Sequence, residues 1–235
     1  MNENVRKYVA EFLGTFTLVF IGTAVATLQG GLLGPGYGAA GLIMVSFAFG
    51  ATLMVQVLVI GPVSGCHINP AVTIPMALSG RHPWSLVPGY ILAQFAGATA
   101  ASFVLLGLLK GLAGPDVTYV MAQHGLGANG NPRGMGAGAL FGWELIITAL
   151  FLFTIFAATR ANNLAPGFAA LAIGGFLFIA HLVGAQLGDS SLNPARSFGP
   201  ALISGQGMDV LWIFLIAPVV GGIIGWQLFK VIYAE

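Results

Sequence analysis

The sequence predicts an all-α membrane protein: six transmembrane helices plus two re-entrant half-helices in an inverted repeat. Three observations lead there. The composition is 57% hydrophobic and only 6% charged, six apolar runs have membrane-spanning length, and the tripeptide Asn-Pro-Ala occurs at matching positions in two halves. A soluble domain carries roughly 25% charged residues; a mean hydropathy of +0.91 leaves too little polar surface for one. Net charge is +1, so there is no basic field for nucleic acid and no acidic tail for a charged partner. The single cysteine, Cys66, excludes an intrachain disulfide and any zinc or redox CxxC pattern. No cofactor and no metal are expected.

A helix crosses ~30 Å of hydrocarbon with about 20 residues at 1.5 Å each. Runs of that length fall at 8–28, 38–60, 84–109, 138–158, 164–184 and 209–232. The first follows Arg6 and Lys7 as a secretory leader would, but it exceeds the roughly 7 to 15 residues of a leader's apolar region and contains Glu11. It is read as the first membrane helix. Two apolar pieces, 69–79 and 193–204, are half as long and each opens with Asn-Pro-Ala. Arg6, Lys7, Arg81, Arg160 and Lys230 fall on one side of this layout, Lys110 and Arg133 on the other. By the positive-inside rule the chain is a multi-pass protein of the cell membrane with both termini cytoplasmic.

Glu11, Thr15 and Phe20 in the first span recur at the same spacing as Glu144, Thr148 and Phe153 in the fourth, and Asn69-Pro70-Ala71 recurs as Asn193-Pro194-Ala195. The chain therefore divides into a first half, 1–115, holding three spans and half-helix 69–79, an extracellular connecting loop, 116–137, and a second half, 138–235, holding three spans and half-helix 193–204. Three spans is an odd number, so the second half enters the membrane with opposite polarity. That arrangement places a permeation site at the midplane between broken helices.

In each Asn-Pro-Ala, Asn is a preferred N-cap and Pro is favoured at the first helical position, so each motif starts a helix. Half-helices of ~15 Å entering from opposite faces meet N-terminus to N-terminus and together make one span. Their positive dipole ends converge at the bilayer centre. A single copy of the motif often marks only a capped surface helix; two copies in an inverted repeat are specific. These paired motifs, with Ala10-Glu11-Phe12-Leu13-Gly14-Thr15, Ser64-Gly65-Cys66-His67-Ile68 before the first and Arg196-Ser197-Phe198-Gly199-Pro200-Ala201 after the second, resemble the aquaporins, the major intrinsic protein family, over essentially the whole chain. The resemblance implies a six-helix bundle with one pore per subunit, a homotetramer in the lipid bilayer, and water as permeant.

Arg196 stands out on physical grounds as well. It lies in the first turn of its half-helix, where a cation opposes the dipole by ~0.3–1 kcal/mol, and an intramembrane Arg costs ~2.5 kcal/mol or more besides. A pore-lining role outweighs pairing with nearby Asp189. The matching position in the first half is Val72, so the charge stands on one side of the midplane only. By the resemblance, the selectivity filter is Phe49, His181, Ser190 and Arg196, with the His and Arg donors replacing the hydrogen bonds a water loses on entering. The amides of Asn69 and Asn193 are expected to orient water at the centre, so that no proton is relayed. Glu11 and Glu144, carboxylates inside spans, need partners; the resemblance makes them acceptors for the re-entrant loops. Gln94 is placed to help, and Gly97, Gly221 and Gly222 suit close helix crossings.

Three other readings are weaker. A serine hydrolase built from His181, Asp189 and Ser190 lacks a nucleophile elbow, and Asn193-Pro194 follows too closely; the chain is not expected to be an enzyme. An ion-coupled secondary transporter needs intramembrane coupling residues beyond Glu11 and Glu144. A facilitator of glycerol or another small neutral solute, such as ammonia or urea, typically has Gly, an aromatic and Asp where His181, Ser190 and Ser197 stand. Only Leu215, where water channels usually carry an aromatic, departs from the water type.

Overall fold

The computed structural model describes residues 2–31, 38–111, 125–163, 165–187 and 189–234. Among these the backbone forms eight α-helices and no strand: α1 (Glu3–Gly31), α2 (Gly38–Ser64), α3 (Pro70–Leu78), α4 (Val87–Lys110), α5 (Ala137–Ala158), α6 (Ala169–Leu187), α7 (Pro194–Ser204) and α8 (Leu211–Tyr233). Six are long and apolar enough to cross a membrane; α3 and α7 have 9 and 11 residues and do not. Of the expected connecting loop, 116–124 lie outside the described residues.

The first two helices overrun their apolar stretches because the i→i−4 ladder continues wherever polar side chains permit it. α1 begins at Glu3, where Lys7 Nζ lies 2.6 Å from Glu3 Oε1 in an i,i+4 pair. α2 continues to Ser64 and ends where Gly65 takes the left-handed conformation, φ +85°, with its N–H on the Gly61 carbonyl.

The repeat is visible in the packing. α1 lies against α2 and α4, and α5 against α6 and α8. The halves interlock where α2 packs on α6 and each half-helix packs on the last span of the other half, α3 on α8 and α7 on α4. Small residues permit these contacts. A Cβ at Gly97 would collide with the Phe12 carbonyl, and one at Gly221 with the Leu145 carbonyl, the same crossing in each repeat. Without a hydrophobic drive between helices in lipid, such backbone approach supplies the packing energy.

Candidate functional site

Both half-helices begin as their local sequence dictates. Asn69 and Asn193 are extended N-caps, with Pro at the first helical turn. Asn69 Oδ1 accepts from the Ala71 N–H at 2.8 Å, and Asn193 Oδ1 from the Ala195 and Arg196 N–H groups at 3.0 and 3.3 Å. The two ends are tied across the pseudo-twofold axis: Asn69 Nδ2 donates to the Leu192 carbonyl at 2.8 Å, and Asn193 Nδ2 to the Ile68 carbonyl at 2.9 Å. An amide nitrogen carries two hydrogens. One on each is committed to the opposite loop, which fixes the direction of the other, and both Asn residues line the central cavity.

The loops preceding the half-helices are strained in matched places. Ile68 and Leu192 have φ of +42° and +56°, and Gly65 and Asp189 +85° and +81°. Left-handed backbone costs ~1–3 kcal/mol at a non-glycine residue and persists only where surroundings over-determine it. Glu11 and Glu144 do so. Glu11 Oε1 accepts from Ser64 Oγ (2.7 Å) and the His67 N–H (2.9 Å), its Oε2 from the Ile68 N–H (2.6 Å) and Gln94 Nε2 (2.8 Å). Glu144 accepts from the N–H groups of Ser191 (2.8 Å) and Leu192 (3.0 Å). A carboxylate offers about four acceptor sites; those of Glu11 are filled, which suits a structural role and leaves little for a proton relay. Gln94 also donates to Thr73 Oγ1 at 2.9 Å. Its counterpart in α8 is Pro218, so the second loop has no such support from that helix.

A cavity of about 290 Å³ runs from Arg81 and Thr159 at one end, past Asn69 and Asn193, to Phe49, His181 and Arg196 at the other. A water's share of liquid is ~30 Å³, so the space holds a file of waters. Leu18, Leu53, Val57, Phe151 and Leu177 give its lining an apolar part, while the 65–69 and 191–193 segments bring polar groups to it. A second cavity of about 490 Å³ begins at His181 and Arg196 and opens past Asn131, Asp189 and Asp209. The two spaces meet at a constriction. There the His181 ring stacks on Phe49, centroids 4.5 Å apart and 16° from parallel, and Arg196 Cζ lies 4.7 Å from the Phe49 centroid. Phe49, His181 and Arg196 are 1%, 3% and 4% exposed, so the constriction is narrow and set deep in the bundle.

The polarity of this constriction differs from the sequence expectation in one respect. His181 Nδ1 lies 2.9 Å from the Leu177 carbonyl, which only accepts, so Nδ1 carries the hydrogen and Nε2 of the neutral ring is an acceptor. Arg196 is then the donor, and His181 the acceptor, for a water between them. The same bond leaves His181 unconnected to Asp189, whose Oδ1 accepts from the Ser190 N–H; the geometry of a hydrolase relay is absent.

Ser190 lines neither cavity. Its fully buried hydroxyl donates to the Ala180 carbonyl at 3.2 Å and receives Trp143 Nε1 at 3.3 Å. The site this hydroxyl occupies exists because residue 184 is glycine: a Cβ there would overlap Ser190 Oγ and Cβ. Gly184→Ala is expected to displace the 189–190 segment and lower stability by ~1–3 kcal/mol, the usual cost of overpacking. Thermal unfolding in detergent checks this, and an unchanged midpoint would mean the segment is not held there.

Three contributors escaped the sequence reading. Arg196 Nη1 donates to the Gly127 carbonyl (2.8 Å) and to Asn129 Oδ1 (2.7 Å), both in the loop before α5. Tyr90 donates from α4 to the Ser64 carbonyl at 2.8 Å. Such long-range partners leave no spacing signal. At the far mouth, Arg81 sits between the rings of Phe156 (4.9 Å) and Phe229 (5.0 Å). Beside it His82 meets the rings of His67 and Tyr90; burial, then the Lys7 charge, hold His82 below the usual histidine range.

Paired half-helices capped at Asn69 and Asn193 inside a six-span bundle define a membrane channel, and comparison with known proteins agrees. The sequence matches the major intrinsic protein family over residues 1–229, and the chain belongs to that family. It is 41% identical to Aquaporin Z of Rhodopseudomonas palustris over 233 residues, covering 99% of this chain and 95% of the relative. Aquaporin Z of Bradyrhizobium diazoefficiens is also 41% identical, over 228 residues, 97% of this chain and 93% of the relative. The fold is similar to the X-ray structure of the aquaglyceroporin from Plasmodium falciparum, with a TM-score of 0.82, 24% identity, and 97% and 96% of the two chains covered.

Proposed function

We propose that the chain is a passive water channel of the cell membrane that excludes ions and protons. The observation that carries this is the continuous cavity from Arg81 to Arg196, crossed at its middle by the N-terminal ends of two half-helices and closed at one end by Phe49, His181 and Arg196. The dipole ends and Arg196 repel cations from the same path. Asn69 and Asn193 each hold one free amide hydrogen toward a central water, turning its own hydrogens outward and breaking the proton wire. The distribution of Lys and Arg supports an orientation with the termini and Arg81 in the cytoplasm and the Arg196 end outside. Kinship with the family supports a homotetramer, each subunit with its own pore. Ser190 shapes the filter through its backbone, with its hydroxyl serving as an anchor.

The test is stopped-flow shrinkage of proteoliposomes under gradients of impermeant osmolyte, glycerol and ammonia. A linear water flux of low activation energy with little glycerol flux is expected; saturable, gradient-coupled flux would replace the channel by a transporter. Substrate choice is tested at His181. Replacing it with Gly removes the ring stacked on Phe49 and the Nε2 acceptor, so the glycerol-to-water permeability ratio should rise about tenfold, in line with the 1–3 kcal/mol that steric differences in a site are worth. The variant should stay closed to ions. A ratio that does not rise at equal protein per liposome would remove His181 from the filter.

A further inference from the structure

The geometry points to Asn129 as a positioning residue for the filter cation, one that holds Arg196 in place without cancelling its charge. This rests on the proposed role of Arg196 as guard of a water pore. Asn129 belongs to the connecting loop, yet it is 2% exposed and joins three parts of the site. Its Oδ1 accepts from Arg196 Nη1 and from Ser197 Oγ, both at 2.7 Å, and its Nδ2 donates to the Ser190 carbonyl at 3.3 Å. One amide thus links the loop, the first turn of α7 and the segment that leads into it.

The choice of an amide has a physical reason. A carboxylate would grip a guanidinium more tightly, because the attraction between opposite full charges adds to the hydrogen bond. It would also place a negative charge against the one positive charge that makes the constriction hostile to cations. The Gly127 carbonyl, the other acceptor from Nη1, is neutral too. The charged or titratable side chains that line the adjoining cavity are Asp189 and Asp209 with His181 and Arg196, so carboxylates stand nearby while the two bonds from Nη1 go to uncharged oxygens. Asn129 uses both lone pairs of one oxygen and at least one amide hydrogen, which fixes the plane of its own side chain and, through it, the direction of the guanidinium.

Asn129→Asp and Asn129→Ala, with Arg196→Val as reference, test this in proteoliposomes at equal protein, reading water permeability, glycerol-to-water ratio and proton or potassium leak. Asn129→Asp should leak cations about tenfold or more above the unsubstituted protein, because an adjacent carboxylate offsets the guanidinium field. Asn129→Ala should remain ion-tight, since the charge persists, but lose water permeability severalfold as the guanidinium, short of one acceptor, swings into the path. A merely structural Asn129 predicts equal losses in both variants and no leak specific to Asp. If Arg196→Val leaks and a folded Asn129→Asp does not, the proposal is overturned while the guard role of Arg196 stands; if neither leaks, the guard role fails and this inference with it. Should Asn129→Asp not reach the membrane, Asn129→Ala decides: unchanged water permeability and unchanged glycerol ratio overturn the assignment.

Discussion

Replacing Arg196 with valine is expected to raise proton and small-cation conductance by about a hundredfold while water flux persists. At an effective dielectric near 20, a unit charge ~6 Å from a permeating cation raises its energy by about 3 kcal/mol, and ~1.4 kcal/mol is a factor of ten. Valine is the informative substitution because Val72 already occupies the equivalent position on the other side of the midplane and lines the cavity there. The variant makes the two halves alike. Half-helix dipoles remain, so exclusion should weaken without vanishing. The guanidinium also leaves the Phe49 ring and the Asn129 amide, which widens the constriction. Dye-reported proton flux and planar-bilayer conductance measure the leak. Undiminished ion tightness in a folded, water-conducting Arg196→Val channel would sink the assignment.

The second large effect is on stability. Glu11→Ala removes the acceptor for the Ser64 hydroxyl, the His67 and Ile68 N–H groups and Gln94, and leaves buried donors unpaired at ~1–3 kcal/mol each. It also releases the left-handed turn at Ile68, a β-branched residue for which that conformation is an outlier. A loss of about 3–6 kcal/mol is expected, enough to abolish folding in many membrane proteins of ordinary margin. Glu144→Ala strips two backbone donors, Ser191 and Leu192, and should cost about 2–5 kcal/mol. Glu144→Gln keeps one carbonyl acceptor and should fall between that and the unsubstituted protein. Unfolding midpoints in detergent, alongside water permeability per folded channel, check the order. A Glu11→Ala protein as stable as the parent would mean that the re-entrant loop is held by packing alone.

Spacing in the chain was enough to read the spans, the repeat and the two half-helix starts, because these depend on local rules. A run of apolar residues must cross the bilayer, and Asn-Pro-Ala caps a helix wherever it stands. The expected half-helices 69–79 and 193–204 differ from Pro70–Leu78 and Pro194–Ser204 by at most one residue at an end, where capping and fraying blur any boundary. Glu11 and Glu144 were legible in part: a carboxylate in a span needs donors, and the resemblance to the aquaporins pointed to the re-entrant loops as their source.

What only the tertiary structure decided is direction and partnership. Ser190 stands three residues before Asn193 as the family pattern requires, yet its hydroxyl turns into the gap over Gly184, because backbone conformation sets where a side chain points and Asp189 at φ +81° redirects the chain just before it. The tautomer of His181 followed from the Leu177 carbonyl one turn earlier in α6, which claims the hydrogen on Nδ1 and leaves the acceptor side for the pore. Asn129 lies 67 residues from Arg196 in a glycine-rich loop with no periodicity to mark it, since a loop residue shows its use only when the fold brings it to a partner. Local sequence thus specifies which elements form and where they start; which atoms of those elements face the passing molecule depends on contacts between distant segments, and no spacing within one segment encodes them.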